Sequence, residues 1–482
     1  MQRTLWLAAV LLGGCGGAST SEPRAGGPAE ARGVVTYDVT ERDGGLLDVT
    51  LRVPAGGFGR MSIEDGALRF VEGLEVLDAN GAASRATIGE TEVSAPACAQ
   101  ACTVHYRFEL GRAASTWKNP QFAAEVGGAR LAPPTTWLLY PTKATDEPFE
   151  LSVHAKGFVT GLGVRPSGRY GARLSDLPEA PYSAFGVTRT HEIDLDGREV
   201  TLAIVGLDPS VGDARLAQWA RESAEDIHAY YGKYAAAPAL VLTVVEAGDD
   251  IGAGTALGNG GASILVHVGE EVSDATLRDD WILTHEMVHL SMPGLHARHH
   301  WMEEGMATYL EPILRARRGR WPEERVWKEW YGSMAYGLPL EGDGGLDGTR
   351  SWGRLYWGGA TFWFLADIAI RRETHGTRSL RDCLSAIESA GGTIAVRWGI
   401  DHFVDTCDAG VGAPIVRGLY EKYGKKGDAV DLDALFSSLG VKRKRGGVEF
   451  DTSAPDAAIR AAIAAPDPRY DERRHDRSSA VR

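Results

Sequence analysis

His285-Glu286-Met287-Val288-His289 stands inside the run DDWILTHEMVHLSM, and these residue types at this spacing can do metal chemistry. On a helix, residues four apart lie one above the other, so His285 and His289 can offer two imidazole nitrogens to one ion, with Glu286 beside it. Imidazole suits zinc, and a catalytic zinc keeps three protein ligands and leaves its fourth position to water. A carboxylate next to that position serves as general base, the arrangement used in metal-assisted hydrolysis. With only 13 His in 482 residues, the pattern arises by chance in roughly a few per cent of chains of this composition. A third ligand has to come from a neighbouring element.

Shortly downstream lies EEGMATYLE, residues 303–311. With HEMVH it resembles the gluzincin zinc peptidases, whose third ligand is the Glu of an EGxxxYLE-like helix. The resemblance assigns Glu304 to that role and implies one Zn2+ per chain, held by His285, His289 and Glu304. Glu303 is the competing acid, although acids at a helix start also serve the helix dipole. Glu311 lies two helical turns beyond Glu304 on the same face. It is either placed to receive the free N–H of a zinc-bound His or is an exposed helix acid. His296, His299 and His300, in the loop between, are read as solvent-facing or substrate-adjacent and left out of the ligand set.

Further on, Leu355-Tyr356-Trp357-Gly358-Gly359-Ala360 opens an apolar helix, and Ser379-Leu380-Arg381-Asp382 follows it. With the two zinc motifs, this run resembles the glycyl aminopeptidase family of gluzincins, relatives of the aminopeptidase N family. The resemblance implies that Tyr356 polarises the scissile carbonyl and stabilises the oxyanion. Two departures stand out. The PDZ-like domain that often ends that family has no counterpart after Gly446. Where the family carries a Glu for the substrate's α-amino group, this chain has Gly258-Asn259-Gly260-Gly261. Glycines permit close approach, so Gly258, Asn259, Gly260 and Gly261 are candidates to pair with an extended peptide along a sheet edge. Without the acid, strict aminopeptidase action is not expected.

These motifs need a scaffold, and 482 residues with 44% hydrophobic and 24% charged content suffice for two or three globular domains. The expected class is α+β multidomain: an N-terminal β-sandwich-like domain over 34–207, then a thermolysin-like α+β and helical catalytic domain over 208–445. The β assignment rests on alternation at Val35, Tyr37 and Val39 and at Leu47, Val49, Leu51 and Val53, about the turn residues Asp43-Gly44-Gly45. A helix from about Asp213 buries Leu216, Trp219, Ser223, Ile227 and Tyr230, and the HEMVH helix is entered near Ser273 or Asp274 and closed before Pro293. The tail 446–482 is expected to be partly disordered.

A net charge of −14 opposes binding to nucleic acid, and the run Lys442-Arg443-Lys444-Arg445 is too short to reverse that. The start Met1-Gln2-Arg3 followed by LWLAAVLL reads as an export signal, and Leu12-Gly13-Gly14-Cys15 resembles a bacterial lipobox. That implies acylation of Cys15, a tether over 16–33 and attachment to a membrane of the bacterial cell envelope. The other cysteines, Cys98, Cys102, Cys383 and Cys407, suit two disulfides in an oxidising compartment; local pairing is one of three connectivities. The expected activity is zinc-dependent peptide hydrolysis. The rivals are a surface binding or assembly lipoprotein that retains the fold without activity, and another zinc hydrolase.

Overall fold

A computed structural model describes residues 33–464, apart from 196, 234–237 and 341. Cys15 and the tether lie outside the described residues. In β1 (Val35–Arg42) and β2 (Leu46–Val53), alternate side chains are buried, and the turn between them uses Gly44 and Gly45 at φ of 77° and 74°. That period of two fixes the register, because a slip of one residue would turn every apolar side chain to solvent. With β3 (Val71–Asp78), β4 (Cys102–Glu109) and β5 (Phe149–His154), they form a six-stranded sheet of order β5-β1-β2-β4-β3 ending in Ala83–Ser84. Two four-stranded sheets complete this unit around one apolar core running from Val35 to Phe185. The hydroxyls of Tyr37 and Tyr106, buried in that core, donate to the carbonyls of Leu139 and Trp137 at 2.7 and 2.9 Å.

The boundary expected at 207 is corrected. Strands β6 (Arg189–Leu195) and β7 (Arg198–Gly206) join the second unit, whose sheet also holds β8 (Ala239–Glu246), β9 (Ile251–Leu257) and β10 (Ser263–Gly269) in the order β6-β7-β8-β10-β9. β7, β8 and β10 run parallel, while β6 and β9 are antiparallel at the two edges. One face of this sheet, with Leu202, Ile204, Val241, Ile264 and Val266, packs against the helices. The other face, with Ala203, Val205, Leu240, Leu242, Val244 and Leu265, packs against Ala129, Leu131, Tyr182, Ala184 and Val187 of the N-terminal unit. The central strands are therefore apolar on both sides, as parallel strands covered on both faces are.

Helix α1 (Asp213–Tyr231) buries all five residues expected of it. The HEMVH helix does not begin at Ser273 or Asp274. Ser273 caps a short helix, Asp274–Asp279, and the chain breaks before α2 (Ile282–Leu290). Asp280 makes the break: its carboxylate accepts from the N–H groups of Ile282 and Leu283 at 2.9 and 3.1 Å and from the Trp219 indole at 3.1 Å. Those are the donors that a helix start leaves unsatisfied. Helix α3 (His300–Arg317) carries EEGMATYLE, and a π-helical turn, Arg354–Gly358, leads into α4 (Gly359–Glu373).

Past 445 the chain stays folded up to residue 464. A hairpin of Val441–Lys444 with Gly447–Phe450, then the helix Ala457–Ala464, place Val448, Ile463 and Ala464 in the same core as α2, α3 and α4. Both disulfides take the local pairing, Cys98–Cys102 and Cys383–Cys407. Among the described residues, no helix is long and apolar enough to cross a membrane.

Candidate active site

Helix α2 projects His285 and His289 from one face, and α3 brings Glu304 to them. Nε2 of His285 lies 3.2 Å and Nε2 of His289 3.6 Å from one oxygen of Glu304, and all three ligand atoms fall within 4.8 Å of one another. Ligand atoms around a tetrahedral zinc are about 3.4 Å apart, so this donor set fits that ion. Burial by itself would raise the Glu304 carboxyl, but His289, His285 and His300 outweigh it and hold the group well below the usual carboxylate range. A buried anion with three imidazoles against it suits a site built for a cation.

The second oxygen of Glu304 lies 3.1 Å from Nε2 of His300, whose Nδ1 lies 3.2 Å from Glu303. His300 was set aside in the sequence, yet it orients the third ligand. Burial pushes its imidazole down, but Glu303 and Glu304 raise it to about 10. The signal was present in the i,i+4 spacing of His300 and Glu304. The start of α3 is pinned from below by Asp347, which accepts from His299 (2.7 Å), the Trp301 indole (3.0 Å) and the Tyr420 hydroxyl (2.7 Å).

Glu286 is buried, and burial raises its carboxyl against the opposing pull of His289 and His285 and of a hydrogen bond from the Ala256 N–H. A carboxyl lifted in this way is a stronger base. Ala256 belongs to β9, the edge strand. At Gly254 of the same strand, a Cβ would meet the Glu286 Cγ at 2.7 Å, so only glycine lets the strand lie this close to the base. Tyr182, from the N-terminal unit, is also near: burial and then the Glu286 charge push its phenol up.

Tyr356, in the π-helical turn, donates to Glu304, and its phenol is raised by burial and by the charges of Glu304 and Glu286. Its ring stacks on His285 at 6.1 Å between centroids. An extra residue in a helical turn commonly re-aims a functional side chain, and here it turns Tyr356 toward the metal ligands.

Two expectations fail. Glu311 does not reach a zinc-ligand His: its carboxylate takes a 2.6 Å hydrogen bond from Arg315, one turn on, whose side chain is wholly buried. An unpaired guanidinium there would be costly, so the acid is committed to it. Nor do residues 258–261 offer a free backbone edge. Asn259 N and Gly260 N donate to the carbonyls of Ile394 and Ala395, Gly163 N donates to Gly260 O, and Gly261 bridges to Leu162. The glycines serve close packing between these two loops. The following strand, β10, is interior; the unpaired edge belongs to β9. Of the acids able to stand in for the missing one, Glu303 is engaged with Leu295 N and His300 and Asp250 accepts from the Ile251 N–H, while Asp249 is exposed.

No protein-family model matches the sequence, and no curated protein is significantly similar to it. Among solved structures, an aminopeptidase N family protein from Idiomarina loihiensis superposes over 85% of this chain and 78% of its own with a TM-score of 0.63 at 18% identity. Aminopeptidase A from Legionella pneumophila, solved in complex with aspartic acid, covers 82% of this chain and 49% of its own with a TM-score of 0.51 at 11% identity. The order of the units, a β domain followed by a mixed sheet and helices, is thus shared with these proteins, and the chain is similar in fold to the aminopeptidase N type of peptidase.

Proposed function

We propose that this chain is a zinc-dependent peptidase. The reading is carried by one observation: the triad His285, His289 and Glu304 has both a buried base, Glu286, and a phenol donor, Tyr356, at its side. Zinc held by the triad supplies a Lewis acid and lowers the pKa of water at its open position. Glu286 takes the proton of the attacking water and passes it to the leaving amine. The Tyr356 hydroxyl, already hydrogen-bonded beside the site, donates to the oxygen that gains charge as the carbonyl becomes tetrahedral. The outer edge of β9, beside Glu286, receives an extended peptide by strand addition, which reads main chain and tolerates a substrate continuing in both directions. Internal cleavage is therefore part of the proposal. Export and acylation at Cys15, in the bacterial cell envelope, belong to it too, supported by the lipobox-like LGGC and by two disulfides.

Metal analysis with peptide-library cleavage tests the reading. Wild type is expected to hold one zinc per chain; His285→Ala, His289→Ala and Glu304→Ala lose it, while Glu286→Gln keeps it and loses turnover. Stoichiometric zinc in all three alanine variants, or wild-type cleavage by Glu286→Gln, would sink it.

A further inference from the structure

A line of aromatic rings runs through the metal site and out to solvent on both sides. Trp352 stacks on Tyr356 with centroids 5.3 Å apart and planes at 29°, and Tyr356 stacks in turn on His285. On its other side, His285 meets Trp281 edge-on at 5.6 Å. The two inner rings are held by packing, yet the two indoles at the ends are 48% and 43% exposed. Tyr336, 68% exposed, lies beside Gly353, next to Trp352. Single exposed apolar residues mean little, but large aromatics gathered about one site mark a surface that something covers.

What covers it follows from the geometry. Tyr356 packs on Trp352, and the indole still keeps nearly half of its surface exposed. Trp352 is one ring away from the phenol assigned to the reacting carbonyl, so what lies against its exposed part belongs to a residue near the cleaved bond. Among the described residues, no charged side chain is hydrogen-bonded to either indole in this line. A flat apolar face without a polar partner favours another ring, in offset-stacked or edge-on contact, over a charged or small side chain.

We propose that Trp352 forms a subsite for an aromatic or large apolar side chain next to the scissile bond. This rests on the peptidase reading and narrows it to peptides carrying such a residue. Trp352 is then a substrate-binding residue that sets preference.

The test uses zinc-loaded full-length Glu286→Gln protein, which binds without turning over, and peptides that differ only in Phe or Gly at one position. By calorimetry the Phe peptide is expected to bind about tenfold or more tightly, and Trp352→Ala in the same background removes most of that ratio while Trp352→Phe restores part of it. The ratio does not depend on how much of a variant is folded. Equal binding of the two peptides, or a ratio unchanged in Trp352→Ala, overturns the subsite and leaves the peptidase reading standing. Failure of any peptide to bind overturns both.

Discussion

Gly305 and Gly359 meet at the crossing of α3 and α4, where a Cβ on Gly359 would lie 2.7 Å from the Gly305 Cα. Gly305 follows the ligand Glu304, and Gly359 follows the turn that holds Tyr356. The crossing is thus what brings Glu304 of α3 and the turn that carries Tyr356 together. Gly305→Ala has to push the helices apart, since the atoms it meets are backbone and cannot rotate away. A displacement near 1 Å at a catalytic group costs about 10² in rate. The variant is expected to bind zinc more weakly and to lose about that factor in kcat. Zinc titration and kinetics that match wild type would contradict the role given to the crossing.

Tyr356→Phe removes one donor to the developing oxyanion and keeps the ring stacked between Trp352 and His285. Loss of about 10²–10³ in kcat with little change in KM is expected. Steady-state kinetics on a single peptide decide it: a near-normal kcat would leave Tyr356 as a packing residue.

Gly258 stands where the resembled family holds an α-ammonium group with a Glu, and burying such a group without a partner is costly. A peptide and its N-acetylated twin are therefore expected to show comparable kcat/KM. A drop of about 10²-fold on acetylation would instead reveal a pocket that recognises the free amine.

Burial lifts the Glu311 carboxyl to about 7, with Arg315 pulling the other way, and burial lowers the Arg315 guanidinium as well. Both partners are pushed toward their neutral forms. With a raised folded-state value, the native protein keeps a proton that the unfolded chain releases between about pH 4.5 and 7, so stability falls as pH rises through that window. Glu311→Gln is expected to flatten this part of the curve and to lower stability overall, because Arg315 loses its carboxylate. Urea melts across the window measure the slope; an unchanged slope would assign the titration to other groups.

The parts of the site that were legible in the sequence are those set by local spacing. His285, Glu286 and His289 lie within one turn and a half of helix, and any helix there brings them together. Glu304 needed the neighbouring motif as well. What escaped depends on contacts between distant segments. Alternation in β6 and β7 is the same whichever sheet they join, so the domain boundary at 207 was not readable from periodicity. Gly258, Gly260 and Gly261 carry no mark that separates room for a substrate from room for loops 161–163 and 394–395. The role of β9 in holding Glu286 close rests on Gly254 and Ala256, which look like ordinary small residues of a glycine-rich link. Glu311 is a different case: Arg315 stands four residues later in the same helix, and that spacing alone names a competing partner.

The apolar seam between the two units bears on how such a chain is inherited. Leu240, Leu242, Val244 and Leu265 lie on the face of the sheet turned away from α2 and α3, and they are covered by Ala129, Leu131, Tyr182, Ala184 and Val187, with Val126 and Val159 beside them. Cut away from residues 34–187, the sheet would present a bare hydrophobic wall to water, a surface that drives aggregation. The β domain thus acts as the missing outer layer of the catalytic sheet and is no detachable attachment. Recombination that shuffles the metal motifs into another context has to carry both halves, and the unit of descent for this chemistry is the pair.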